Sequence, residues 1–167
     1  MKSTSKLLAA AGLAISCGSA AGQTSSWIAG DGNWNNPAKW SAGVPNSPAA
    51  TAIIADPGGY TITLNISVSL ANLQKVIPGP QLNMPAGTFI DLYGGVFSND
   101  GATIVNTSAS NNGTAIRFRS VNHIIAADPG EAGELTLNAY GPNLDTAYLQ
   151  SLDGITVTND EDHTING

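Results

Sequence analysis

Charge is scarce in this chain of 167 residues: 11% is Asp, Glu, Lys or Arg, with six basic residues against twelve acidic. Ordinary soluble domains carry roughly 25% charged residues. The shortfall excludes a surface-charged helical bundle and a coiled coil. Beyond the first six residues the only basic side chains are Lys39, Lys75, Arg117 and Arg119. So sparse a set leaves no footprint for nucleic acid. Cysteine is nearly absent as well, with Cys17 alone, which excludes a disulfide framework. Long apolar runs are also missing. The longest, Leu7 to Ile15, falls short of the about 20 residues that a membrane helix needs, so no transmembrane segment is expected in the mature chain. Disorder is excluded by the aliphatic residues that recur throughout.

The first 22 residues have the composition of an export signal. Lys2 and Lys6 supply the positive start, LLAAAGLAI (7–15) the apolar stretch, and the small residues up to Gly22 a cleavage region. Cys17 follows Leu13-Ala14-Ile15-Ser16, which is similar to a bacterial lipobox, so lipid anchoring through Cys17 competes with simple cleavage. The expected location is outside the cell or on its surface.

Residues 23–48 are dense in Gly, Pro, Asn and Ser and carry all three tryptophans, Trp27, Trp34 and Trp40. This reads as a loop-like cap. From residue 49 to 167 the chain is a series of short apolar runs bounded by Gly, Asn, Asp or Pro, such as Tyr60–Leu64, Phe89–Leu92 and Ala115–Phe118. That pattern is the signature of strands. Spacing suggests how they are arranged. Thr103–Val105 recurs about 32 residues later as Leu135–Leu137, Ala115–Phe118 as Tyr148–Gln150, and His123–Ile125 as Ile155–Val157, within the range of strand solenoids. The expectation is an all-β parallel β-helix with an N-terminal Trp-containing cap; a β-sandwich is the alternative. Stacked coils place equivalent side chains about 4.8 Å apart, so ladders of like charge are disfavoured. The low charge content thereby acquires a cause.

Two stretches carry a family resemblance. GNWNNPAKWSAGVPNSPAATAII (32–54), with its Trp34, Trp40, Ser41, Gly43 and Pro45, resembles the N-terminal segment of secreted bacterial right-handed β-helix proteins. GGVFSNDGATIVN (94–106) and GITVTNDEDHTING (154–167) are similar to their coil repeats. These proteins include autotransporter-like passengers and surface proteins with sorting signals. The resemblance implies an elongated structural or adhesive protein and carries no catalytic residues. The chain ends at HTING, within what reads as a further coil, so it is expected to be the front part of a longer protein. Its partners would be surface polysaccharide or other β-helix chains.

Residues able to carry chemistry are few. Trp27, Trp34 and Trp40 can form a glycan-stacking platform if exposed, or a hydrophobic lid if buried. Arg117 and Arg119 alternate on one strand and so share a face, where they can bind a carboxylate or sulfate. Asp160, Glu161 and Asp162 are a weak calcium candidate, lacking the spacing of an EF-hand loop. His123 and His163 read as strand or turn residues. A polysaccharide lyase or hydrolase is an alternative resting on fold analogy alone. A glycosidase would need two carboxylates about 5 to 9.5 Å apart. Asp91, Asp100, Glu131 and Glu134 qualify only by type. No catalytic residue is assigned, and no motif calls for a cofactor.

Overall fold

Where apolar and polar residues alternate, the chain is extended and turns every second side chain inward. The computed structural model describes residues 22–28, 30–107, 113–138 and 147–167. In β3 (Thr51–Ile54), β4 (Thr61–Thr63) and β5 (Val68–Leu70), the inward residues Ala52, Ile54, Ile62, Val68 and Leu70 are buried, while their neighbours stay partly exposed. The same three-strand order returns in β6 (Asn72–Lys75), β7 (Gln81–Met84) and β8 (Phe89–Leu92). It recurs in β9 (Val96–Asn99), β10 (Gly101–Asn106) and β11 (Thr114–Phe118), then in β12 (His123–Ala126), β13 (Gly133–Asn138) and β14 (Ala147–Ser151). Two strands precede these coils, β1 (Thr24–Ser26) and β2 (Gly32–Asn33), and two follow, β15 (Val157–Asn159) and β16 (His163–Asn166).

Each coil contributes one strand to each of three sheets. The first sheet runs β1-β3-β6-β9-β12-β15, the second β2-β4-β7-β10-β13-β16, and the third β5-β8-β11-β14. Every ladder within them is parallel. The fold is therefore an all-β parallel β-helix. A β-sandwich, which stacks two antiparallel sheets, is set aside.

The core is built from ladders of equivalent residues. Ala52, Leu73, Phe97 and Ile125 are in register along the first sheet. Ile62, Leu82, Thr103 and Leu135 follow the second. Val68, Ile90, Ile116 and Leu149 follow the third. On the outside of the second sheet, Asn138 Nδ2 donates to Asn106 Oδ1 at 3.1 Å, and Asn106 Nδ2 donates to Asn83 Oδ1 at 2.6 Å. Amides can stack in this way because each offers both a donor and an acceptor.

The expected recurrence holds in the later coils. Thr103 pairs with Leu135, Ala115 with Tyr148, and His123 with Val157, two residues beyond the expected partner. Earlier coils are shorter: Thr61 pairs with Gln81 and Leu82 with Thr103. The difference lies in the connections. Asp100 alone separates β9 from β10, a corner closed by Gly101 at φ 75°. That left-handed conformation favours glycine, and a Cβ there would lie 2.4 Å from the Pro78 carbonyl oxygen.

Residues 23–48, expected as loop, contain β1 and β2, which already belong to the first and second sheets. Between them and β3 the chain folds over the first coil through a short 3-10 turn, Pro37–Lys39, started by Asn36 Oδ1 accepting from Ala38 N. Asn46 Oδ1 then accepts from Ser69 N on β5, which ties this crossing segment to the third sheet.

Candidate functional site

Among the described residues, the densest gathering of buried polar side chains lies where the first sheet turns into the second. Lys75, Asn99, Asp100, Thr103 and His163 meet there, with at most 4% of any of them exposed. Parity places them inside. Lys75 follows Leu73 by two residues on β6, and Asn99 follows Phe97 by two on β9, so both point into the core. The two are register partners on adjacent strands.

Lys75 Nζ donates to the Asp100 carbonyl oxygen. Asp100 N in turn donates to the Lys75 carbonyl at 2.7 Å. Asp100 Oδ1 accepts from Asp128 N at 2.8 Å, and Oδ2 is buried with no hydrogen-bond partner among the described residues. Burial pushes the Lys75 ammonium down to about 8, partly offset by the Asp100 carboxylate. Removing a cation from water disfavours its charged form.

The amide of Asn99 is held at both ends. Its Oδ1 accepts from Thr103 Oγ1 at 2.6 Å. Its Nδ2 donates to the Glu134 carbonyl at 3.1 Å and meets His163 Nε2 at 2.9 Å. His163 Nδ1 lies 2.8 Å from Asn159 Oδ1, and Asn159 Nδ2 donates to the His163 carbonyl. This network fits a neutral imidazole with its proton on Nδ1. Burial first, and the Lys75 charge second, lower the His163 pKa in keeping with that state. Gly133 makes the ring's place: a Cβ there would sit 2.3 Å from the Asn99 carbonyl oxygen and 2.5 Å from His163 Cδ2.

Sequence reasoning missed this corner. The signals were the inward parity of Lys75 after Leu73 and the Asp-Gly turn signal at Asp100-Gly101.

The tryptophans require a correction. Trp27, Trp34 and Trp40 are 2%, 0% and 3% exposed, so none presents the open ring face that sugar stacking needs. Trp27 and Trp40 pack edge to face at 5.1 Å between ring centroids, and Trp34 and Trp40 pack in a tilted arrangement at 4.7 Å. Each indole N–H donates to a backbone carbonyl: Trp27 to Gly30, Trp34 to Pro45, Trp40 to Trp34. A buried indole usually finds such a partner. The three form a lid.

Arg117 stands on the outer face of the third sheet and Arg119 just past the end of β11, and both reach Asp91. Arg117 Nε and Nη2 donate to its two carboxylate oxygens at 2.7 and 2.6 Å, and Arg119 Nε to Oδ1 at 2.5 Å. Despite partial burial, the two guanidinium groups hold the Asp91 carboxyl below its usual range. One carboxylate facing two guanidinium groups leaves an excess positive charge. Arg117 also lies over the Phe89 ring, 4.2 Å from its centroid.

The calcium reading at Asp160, Glu161 and Asp162 is corrected too. Asp160 Oδ1 accepts from Glu161 N, and the Asp162 carbonyl accepts from Gly133 N, so this segment serves as a backbone-bonded turn. Among the described residues no three His, Cys, Asp or Glu gather as metal ligands. His123 packs on Phe118 with ring centroids 4.7 Å apart, neither ring nitrogen has a hydrogen-bond partner among the described residues, and burial lowers its pKa. The four carboxylates weighed for glycoside cleavage are dispersed. Asp91 faces the arginines, Asp100 is buried in the corner, Glu131 lies in an exposed connection, and Glu134 stands outside the second sheet bonded to Thr136 and Asn166. Cys17 lies outside the described residues. No helix among those residues is long and apolar enough to cross a membrane.

The chain matches no protein-family model, no curated protein and no solved structure.

Proposed function

We propose that this chain is an exported bacterial protein with a structural or adhesive role at the cell surface or outside the cell, and we assign it no catalytic residue. The observation that supports this reading is how its interacting ionic side chains are used. Asp91 ties β8 to β11 and the chain beyond it, and Lys75 ties β6 to the corner after β9. Charges that join one coil to the next in this way suit a scaffold. Expressed in a bacterial host, the full chain should be recovered outside the cytoplasm with its N-terminus at Gly22 or Gln23. Cytoplasmic retention with residues 1–22 intact would overturn export.

The excess charge on the outer face of the third sheet favours one adhesive surface, a contact with carboxylated or sulfated polysaccharide through Arg117 and Arg119. Many weak contacts along a repetitive ligand add up through effective concentration. Retention on a polygalacturonate resin, weakened by salt and lost in an Arg117→Ala/Arg119→Ala double variant, is the expected result. Equal retention of that variant would move the adhesive contact elsewhere.

A further inference from the structure

A lysine among stacked aliphatic residues is the least expected feature of this core. In register, Lys75 lies between Ile54 on one side and Asn99 on the other. One neighbour is apolar; the other is a carboxamide. The amine is anchored one residue beyond that carboxamide, on the Asp100 carbonyl. Thr103 Oγ1 donates to Asn99 Oδ1 at 2.6 Å, which polarises the side-chain carbonyl and would steady negative charge developing on it. Asp100 supplies a buried carboxylate oxygen with no partner among the described residues. Nucleophile, polarised electrophile and proton carrier thus share one water-excluded corner, an arrangement in which fixed proximity replaces a bimolecular encounter.

We propose that Lys75 and Asn99 join spontaneously through an intramolecular isopeptide bond. The Lys75 Nζ adds to Asn99 Cγ, the Nζ–Cγ bond forms, and the Cγ–Nδ2 bond breaks. Two protons pass from the Lys75 ammonium to the departing nitrogen, with the Asp100 carboxylate as the carrier. An ammonium and a primary amide become a secondary amide and an ammonium ion, and no oxidant, metal or cofactor enters the balance. The lowered pKa of Lys75 helps by making the nucleophilic amine accessible near neutral pH. Both residues belong to the first sheet, so the new bond would lock β6 to β9 covalently.

Intact mass spectrometry of the purified full chain, with its termini established, should show a deficit of one ammonia relative to the sequence. Cleavage on the N-terminal side of aspartates would otherwise release fragments 56–90 and 91–99 separately; they should remain joined as one branched species. The deficit should vanish in Lys75→Met and in Asn99→Ala. The full sequence mass would overturn the proposal. So would a deficit of one water, which would point to Asp100 as the acceptor, or a deficit that survives in Lys75→Met, which would mean ammonia lost elsewhere, by cyclisation of Asn99 on its own backbone or of an N-terminal Gln23. Because the wild-type chain alone decides the first outcome, misfolding of a variant cannot rescue the idea.

Discussion

The first and last described coils of the stack differ in how their interior is covered. At the first end, Trp27, Trp34 and Trp40 cover the interior with their N–H groups satisfied by backbone. At the other, the third sheet ends at β14 while the first and second continue through β15 and β16. A cavity of about 250 Å³ opens there between Phe118, Leu149, Val157 and Ile165. Ile165 is 38% exposed, although it continues the ladder in which Leu135 is fully buried. Identical ladder positions therefore have very different energetic weight. A β-helix side chain is stabilised by the coils above and below it, so its contribution depends on having both neighbours.

The most severe way to break this contrast is Trp40→Ala, which removes the indole that packs on both others. Emptying such a site costs about 3–5 kcal/mol, measured as a lowered midpoint in urea unfolding. A loss below about 1 kcal/mol, on the same scale as a surface change, would mean that the lid does not seal the first coil. Gly133→Ala probes the polar corner at a conserved fold by forcing a methyl onto the Asn99 carbonyl and the His163 ring. Overpacking of this kind costs about 1–3 kcal/mol, and thermal unfolding should register it.

Acid should separate the two regions further. An unfolded imidazole gains its proton near pH 6.5, whereas burial lowers the folded pKa of His123. The unfolded state therefore binds more protons as pH falls below that value, and folding stability declines. His123→Leu should flatten part of this acid limb, leaving the part due to His163. An unchanged slope between pH 7 and pH 5 would show that His123 is not buried neutral. The smallest effect is expected at the open end, where Ile165→Ala should cost about 0.5 kcal/mol or less, as surface changes do. A cost approaching that of the tryptophan would show that the open end is covered in solution.

Much of this architecture is visible along the chain. Alternation in TAII, TITL and FIDL marks both the strands and the faces they bury, and the recurrence of Thr103 at Leu135 shows the coil. The early coils were harder to see, because Gln81–Met84 carries only Leu82 and Met84 as apolar residues and its coil is about a third shorter than the later ones. The polar corner was less legible still. Lys75, Asn99 and His163 are far apart in sequence, and a lysine is normally placed outside. Only the stacking of four successive coils brings these residues together.

Alternation, glycine-marked corners and low charge were enough to determine an all-β chain of short strands, because backbone pairing and the pleat impose a period of two on any buried strand. Tertiary structure alone decided the surroundings of the exceptional residues. It buried the tryptophans, paired both arginines with Asp91, and put Lys75 beside Asn99, because register between coils, set by the lengths of the connections, determines which side chains become neighbours.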